Sequence, residues 1–136
     1  MAITGWLIDK SALVRLATTP DAQLWASRID AGRVHLSSIT RLEIGYSART
    51  ANELLTSFAS LPLSKMRIEK LSPTIEERAW DVLQQLAHLG QHRAPSIPDL
   101  LVAATAEKCE LIVLHVDKDF ELISNITRQA VERLDF

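Results

Sequence analysis

The 136-residue chain is 47% hydrophobic and 24% charged, the length and balance of one ordinary globular domain over 1–136 rather than a disordered or fibrous segment. Its net charge of −2 excludes a global basic field, so any affinity for RNA has to be local, carried by side chains such as the arginines that supply ten of the fifteen basic residues. The single Cys109 excludes an internal disulfide framework, and Met1 to Leu16 has no basic leader and is interrupted by Asp9 and Lys10; together these predict a cytoplasmic chain without a signal peptide or membrane span.

Trp6-Leu7-Ile8 is a short continuous apolar run and predicts a strand buried on both faces, followed by a polar turn at Asp9-Lys10-Ser11 and a helical segment from Ala12 to Leu16. Thr19-Pro20-Asp21 has the form of a helix start and leads into a helix through about Asp30, with Gly32 as its stop. Val34-His35-Leu36 predicts a second strand. Ser37 or Ser38 can then cap a helix whose Ile39, Leu42, Glu43 and Tyr46 share one stripe at i, i+3, i+4 and i+7, expected to face inward.

A helix over Ala51 to Ala59 is broken by Pro62, and Met66 to Glu69 predicts a third strand. Ser72-Pro73 opens a long amphipathic helix to about Leu89, with Ile75, Ala79, Val82, Leu83 and Leu86 facing inward and Gly90 ending it. After a polar loop over Gln91 to Pro98, Asp99 to Cys109 carries too little polar surface for an exposed helix and should be central. Leu111 to Val116 is the clearest buried strand, Asp117 to Asp119 its polar exit, and Ala130 to Leu134 a final edge strand. Strands alternating with helices define the α/β class, a parallel sheet covered on both faces.

In such a sheet ligands bind outside the carboxyl ends of the strands, which singles out Asp9 and Asp117 at two strand exits. Glu43 lies in an apolar stripe, where an uncompensated carboxylate is costly and calls for a cation, a shifted protonation state or water from a cleft. Asp99 follows Pro98 in a first helical turn, where a negative charge is also favoured by the helix dipole alone. Capping is the plain alternative for Asp9, and a turn role for Asp117. Four acids on separate elements, at least three of them expected at one edge and one inside an apolar stripe, favour a shared site. All-oxygen donors select magnesium or manganese over zinc, although His88 and His92 have i, i+4 spacing across Gly90.

The chain resembles the PIN-domain ribonucleases and, within them, the VapC-type toxins of toxin–antitoxin pairs. The resemblance spans nearly the whole chain. It is carried by Leu7-Ile8-Asp9-Lys10-Ser11-Ala12, by Glu43 in Arg41-Leu42-Glu43-Ile44-Gly45, by Pro98-Asp99-Leu100-Leu101-Val102-Ala103-Ala104, and by Leu114-His115-Val116-Asp117-Lys118-Asp119-Phe120. It implies a three-layer α/β/α PIN fold with four to five short strands, and an acidic metal site of Asp9, Glu43, Asp99 and Asp117 for Mg2+ or Mn2+. Asp119 is implied as a further metal-site candidate, and Ser11 and His115 as outer supports. Lys10 and His115 depart from the family pattern, which more often carries a small hydroxyl residue at the first position and threonine or serine at the second.

The implied reaction is metal-assisted hydrolysis of RNA phosphodiester bonds, with Arg15, Arg41, His92 and Arg93 as candidate RNA contacts. The resemblance also implies a homodimer and a small VapB-like antitoxin seated in a groove beside the site, for which Leu24, Trp25, Leu54, Leu55 and Phe58 are candidate lining. Three other readings stay open on the residues alone. Asp117-Lys118-Asp119 after a strand fits a dehalogenase-like phosphatase, a receiver domain with a phospho-accepting aspartate is also parallel α/β, and a PIN-like interaction module could lack chemistry altogether.

Overall fold

The computed structural model describes residues 4–136, so the first three residues of the apolar opening segment lie outside the described residues. Strand β1 (Trp6–Ile8) is buried along its whole length. Strand alternation splits its side chains between the two faces of the sheet: Trp6 and Ile8 enter one apolar cluster and Leu7 the other. β2 (Val34–Ser37), β3 (Arg67–Glu69), β4 (Ile112–His115) and β5 (Val131–Arg133) complete an all-parallel sheet in the order β3-β2-β1-β4-β5. β1 is therefore central, with Trp6 in register with Val34 on one side and Ile112 on the other.

Helices α5 (Pro73–His88), α6 (Ile97–Cys109) and α7 (Asp119–Thr127) supply the cluster that packs on Leu7 and Val113. The opposite cluster is supplied by α1 (Lys10–Leu13) and α2 (Ala22–Asp30), with Ile44 of α3 (Ser38–Ser47) and Phe58 of α4 (Ala51–Ala59) packed against it. This is the three-layer arrangement expected from the sequence. α6 is the central helix: Leu100 and Val102 to Ala106 are all buried. Its start is set by the Ser96 hydroxyl, which accepts the Asp99 N–H at 3.2 Å, with Pro98 in the first turn.

α5 begins at the expected Ser72-Pro73 pair, buries Ile75, Ala79, Val82 and Leu86, and gives way to Gly90 at φ 71°, a left-handed conformation suited to glycine. Two expectations are corrected, and one stretch without an expected structure is filled. The helix after Thr19 starts only at Ala22: the Thr19 hydroxyl accepts the Asp21 N–H at 3.3 Å in a turn that precedes the helix, and donates to the carbonyl of Asp135, tying the chain end down. The supposed inward stripe of α3 is largely exposed, Leu42 at 67% and Tyr46 at 93%, while Thr40 is buried and Ile44 packs on the core. The stretch after Asp119 is helix α7, which buries Phe120 and Ile123.

Leu114, fully buried on β4, and Tyr46 test this partition of faces. Leu114→Ala should cost about 2–5 kcal/mol in urea unfolding, the range for emptying a packed leucine site. Tyr46→Ala should stay within about 0.5 kcal/mol of the parent, as expected for an exposed position.

Candidate active site

The parallel pairing of β1 with β4 places the residues leaving the two strands side by side. Asp9 is the N-cap of α1: its N–H donates to the Leu114 carbonyl at 2.9 Å and its Oδ2 accepts the Ser11 N–H at 3.0 Å. The Ser11 hydroxyl in turn accepts the Val116 N–H at 2.9 Å, stapling the exit of β4 to the first turn of α1. Asp9 therefore fills the capping role the sequence allowed it, and stands in the acidic cluster as well.

Asp117 follows β4, and its Oδ1 accepts the N–H of Asp119 at 3.0 Å at the start of α7. Asp99 arrives from the first turn of α6 and is 8% exposed. Asp99, Asp117 and Asp119 can each offer one carboxylate oxygen within 4.8 Å of the others. Asp99 also feels the charge of Asp9, and Glu43, on α3, feels Asp9 on one side and Lys10 on the other. Charge coupling thus links the five acids in a row, Glu43 to Asp9, Asp9 to Asp99, Asp99 to Asp117 and Asp117 to Asp119.

Burial and neighbouring charge act together on three of these acids. Burial, then Asp9 and Asp117, push the Asp99 carboxyl from 3.8 up to about 7, against the opposing hydrogen bonds from Ser96. A helix N-terminus favours a carboxylate by only about 0.3–1 kcal/mol when exposed. Each pKa unit is worth about 1.4 kcal/mol, so the like charges and burial outweigh the dipole by several-fold. Burial, then Asp9, raises Glu43 despite Lys10, and burial, then Asp117, raises Asp119 despite Lys118.

His115 is fully buried at the end of β4, and its Nδ1 accepts the Asp117 N–H at 3.1 Å. Burial holds its pKa below the ordinary histidine value even though Glu121 opposes this, which keeps the ring neutral with its proton on Nε2. Nε2 lies 3.3 Å from Glu121 Oε1 but out of hydrogen-bond alignment, so contact there is electrostatic only.

Of the candidate RNA contacts, Arg15 is partly engaged, with Nη1 donating to the Ser11 carbonyl at 2.6 Å and its guanidinium 4.9 Å from the Phe136 ring. Arg41 is exposed beside Glu43, and His92 and Arg93 are exposed in the loop before α6. A groove of about 1010 Å³ adjoins the acidic row at Glu43 and Lys10. Leu54 and Phe58 line it as expected, whereas Trp25 is core and Leu24 and Leu55 are exposed elsewhere. Leu42, Tyr46, Leu63, Met66 and Ile68 complete the lining and were not expected there; the exposed stripe on α3 was their signal, read in the wrong direction.

The PIN domain pattern matches residues 6–126. The chain is 55% identical to ribonuclease VapC2 of Mycobacterium tuberculosis (strain CDC 1551 / Oshkosh) over 95% of this chain and 92% of the relative. It is 36% identical to ribonuclease VapC21 of the same strain over 95% of this chain and 93% of that one. Among solved structures, VapBC2 from Rickettsia felis bound to a DNA fragment from its promoter superposes with a TM-score of 0.75 at 18% identity, covering 96% of this chain and 98% of that chain. The chain belongs to the PIN-domain family, in its VapC branch. That membership replaces the dehalogenase-like and receiver alternatives.

Two stability measurements probe the row. A carboxyl whose folded pKa exceeds its unfolded value contributes fully below the unfolded pKa, and that contribution is lost as pH rises through the folded one. The metal-free protein should therefore lose stability from about pH 4 to pH 7 on account of Asp99, and Asp99→Asn should melt higher than the parent at pH 8, with the gap closing toward pH 4. A gap independent of pH contradicts this. Separately, His115→Leu leaves the Asp117 N–H unpaired and should cost about 1–3 kcal/mol in denaturant titration, whereas His115→Asn, whose Oδ1 falls where Nδ1 does, should recover most of it.

Proposed function

We propose that the chain is a divalent-metal-dependent ribonuclease, using Mg2+ or Mn2+, and the toxin of a VapBC-type toxin–antitoxin pair. One observation carries the metal reading: Asp99, Asp117 and Asp119 converge within 4.8 Å although burial, then the neighbouring charges, push Asp99 up to about 7. Such a cluster suits a hard cation, since all of its donors are carboxylate oxygens, and a positive charge reverses the crowding that raises the pKa. Asp99, Asp117 and Asp119 would hold the ion, with Asp9 and Glu43 extending the row toward the groove. When bound, the ion supplies Lewis acidity toward the scissile phosphate.

The chain's own residues supply geometry. Ser11 and Ser96 hold the elements that carry Asp9 and Asp99, and His115 holds the backbone of Asp117. Arg41, with Arg15, His92 and Arg93 farther out, offers guanidinium and imidazole donors to RNA phosphates. The apolar groove ending at Glu43 suits the apolar face of an antitoxin segment, in keeping with the VapBC assignment of the structural relatives. A homodimer and a cytoplasmic location complete the proposal; among the described residues no helix is long and apolar enough to cross a membrane.

Purified protein should cleave RNA with Mg2+ or Mn2+ and stop on addition of EDTA, and Asp99→Asn should lower cleavage at least a hundredfold while remaining folded. Mn2+ at a hundredfold excess over its dissociation constant should stabilise the protein by about 2.7 kcal/mol. Cleavage that persists in EDTA overturns the mechanism.

A further inference from the structure

His115 is fully buried, and its Nε2 is, among the described residues, the one buried side-chain polar atom that makes no hydrogen bond. The other ring nitrogen, Nδ1, accepts the Asp117 N–H at 3.1 Å. A backbone amide only donates, so Nδ1 is bare and the ring proton sits on Nε2. The ring packs on Phe120, itself fully buried, with centroids 5.3 Å apart and planes tilted by 43°, which leaves it little room to turn.

A buried N–H without a partner is costly, yet moving the proton to Nδ1 would set two donors, Nδ1–H and the Asp117 N–H, against each other. Glu121 stands in front of Nε2. Its Oε1 lies 3.3 Å away, reached from the first turn of α7. Beside a ring shielded from water, a carboxylate at that distance favours the proton on the nearer nitrogen even where the bond is not aligned. Glu121 also has an ordinary use, as an acid near a helix N-terminus, but any negative charge in that turn serves that purpose and Asp119 shares it.

The consequence reaches the acids. Asp117 hangs from His115 by its N–H, and its Oδ1 accepts the N–H of Asp119 at 3.0 Å, so two of the three acids that converge within 4.8 Å depend on the backbone that His115 holds. We infer that Glu121 is a positioning residue: by holding the His115 ring in its Nε2–H form it keeps Nδ1 free for the Asp117 N–H, and so sets Asp117 and Asp119 for a cation. The inference rests on the metal-dependent reading above and adds to it a residue outside the acidic row.

The test separates this role from that of a charge at a helix start. In metal-free, full-length protein, long-range 1H–15N spectra identify the protonated nitrogen of His115, assigned by its loss in His115→Asn, and hydrogen exchange reads the Asp117 N–H; melting curves confirm folding. The wild type and Glu121→Gln, whose amide oxygen can face Nε2–H, should both show the Nε2–H form with a protected Asp117 amide. Glu121→Leu should show the Nδ1–H form or a mixture, with faster exchange at Asp117. Mn2+ titrated by calorimetry should bind Glu121→Leu about tenfold more weakly than the wild type, and Glu121→Gln within about threefold of it. In a His115→Asn background, Glu121→Leu should change the Mn2+ dissociation constant by less than about twofold. Equal weakening in Glu121→Gln and Glu121→Leu, or normal Mn2+ uptake and an unmoved ring proton in folded Glu121→Leu, overturns the inference and leaves the metal-dependent reading intact. If Glu121→Leu fails to fold, Glu121→Ala takes its place under the same criteria. No uptake by the wild type overturns both.

Discussion

Repulsion among carboxylates held at the exits of adjacent parallel strands is the constraint around which this molecule is organised. The order β3-β2-β1-β4-β5 makes β1 and β4 neighbours, so Asp9 and Asp117 leave the sheet side by side, and α6 delivers Asp99 between their charges. In isolation each acid has an ordinary structural use. Together, burial first and then the charges of Asp9 and Asp117 push the Asp99 carboxyl up to about 7. The rest of the fold has to hold these groups against that repulsion.

It does so through backbone groups next to each acid, so the carboxylate oxygens are not all consumed. The Ser11 hydroxyl binds the exit of β4, Ser96 binds the start of α6, and His115 binds the N–H of Asp117. Each is a local bond between polar groups that would otherwise be buried unpaired, so each stabilises the protein while leaving its acid free to face the cleft. Asp9 and Asp117 are exceptions, since one oxygen of each accepts a backbone N–H at the start of a helix. An acid so engaged is oriented rigidly but has fewer lone pairs for a ligand.

Much of this was legible in the sequence because it rests on local signals. Continuous apolar runs marked the strands, Ser72-Pro73 marked the start of α5, and acids at strand exits marked the cluster. Periodicity failed on α3 for a physical reason: i, i+3, i+4, i+7 spacing defines a face but says nothing of what covers it, and Leu42 and Tyr46 line an open groove. α7 was left unassigned because it begins inside what reads as a polar turn, although Phe120, Leu122, Ile123 and Ile126 all pack on the core. Thr19 makes the local turn its sequence suggests, to the Asp21 N–H, but its bond to Asp135 at the far end of the chain had no local signal. The hydrogen bond from the Lys10 ammonium to the Ser47 hydroxyl joins residues 37 positions apart, and no local pattern announces such a contact.

α3 joins the two halves of the proposed activity. Its Glu43 belongs to the acidic row, while Leu42, Gly45 and Tyr46 line the apolar groove, so the same two turns of helix border both. The groove ends at Lys10, Arg41 and Glu43, and a segment that fills it along its length meets those charges before it meets solvent. Exposed leucine and tyrosine on α3 therefore have a use that core packing would have denied them. They keep a sticky surface next to the acids, where a partner that buries it also closes the approach to the row.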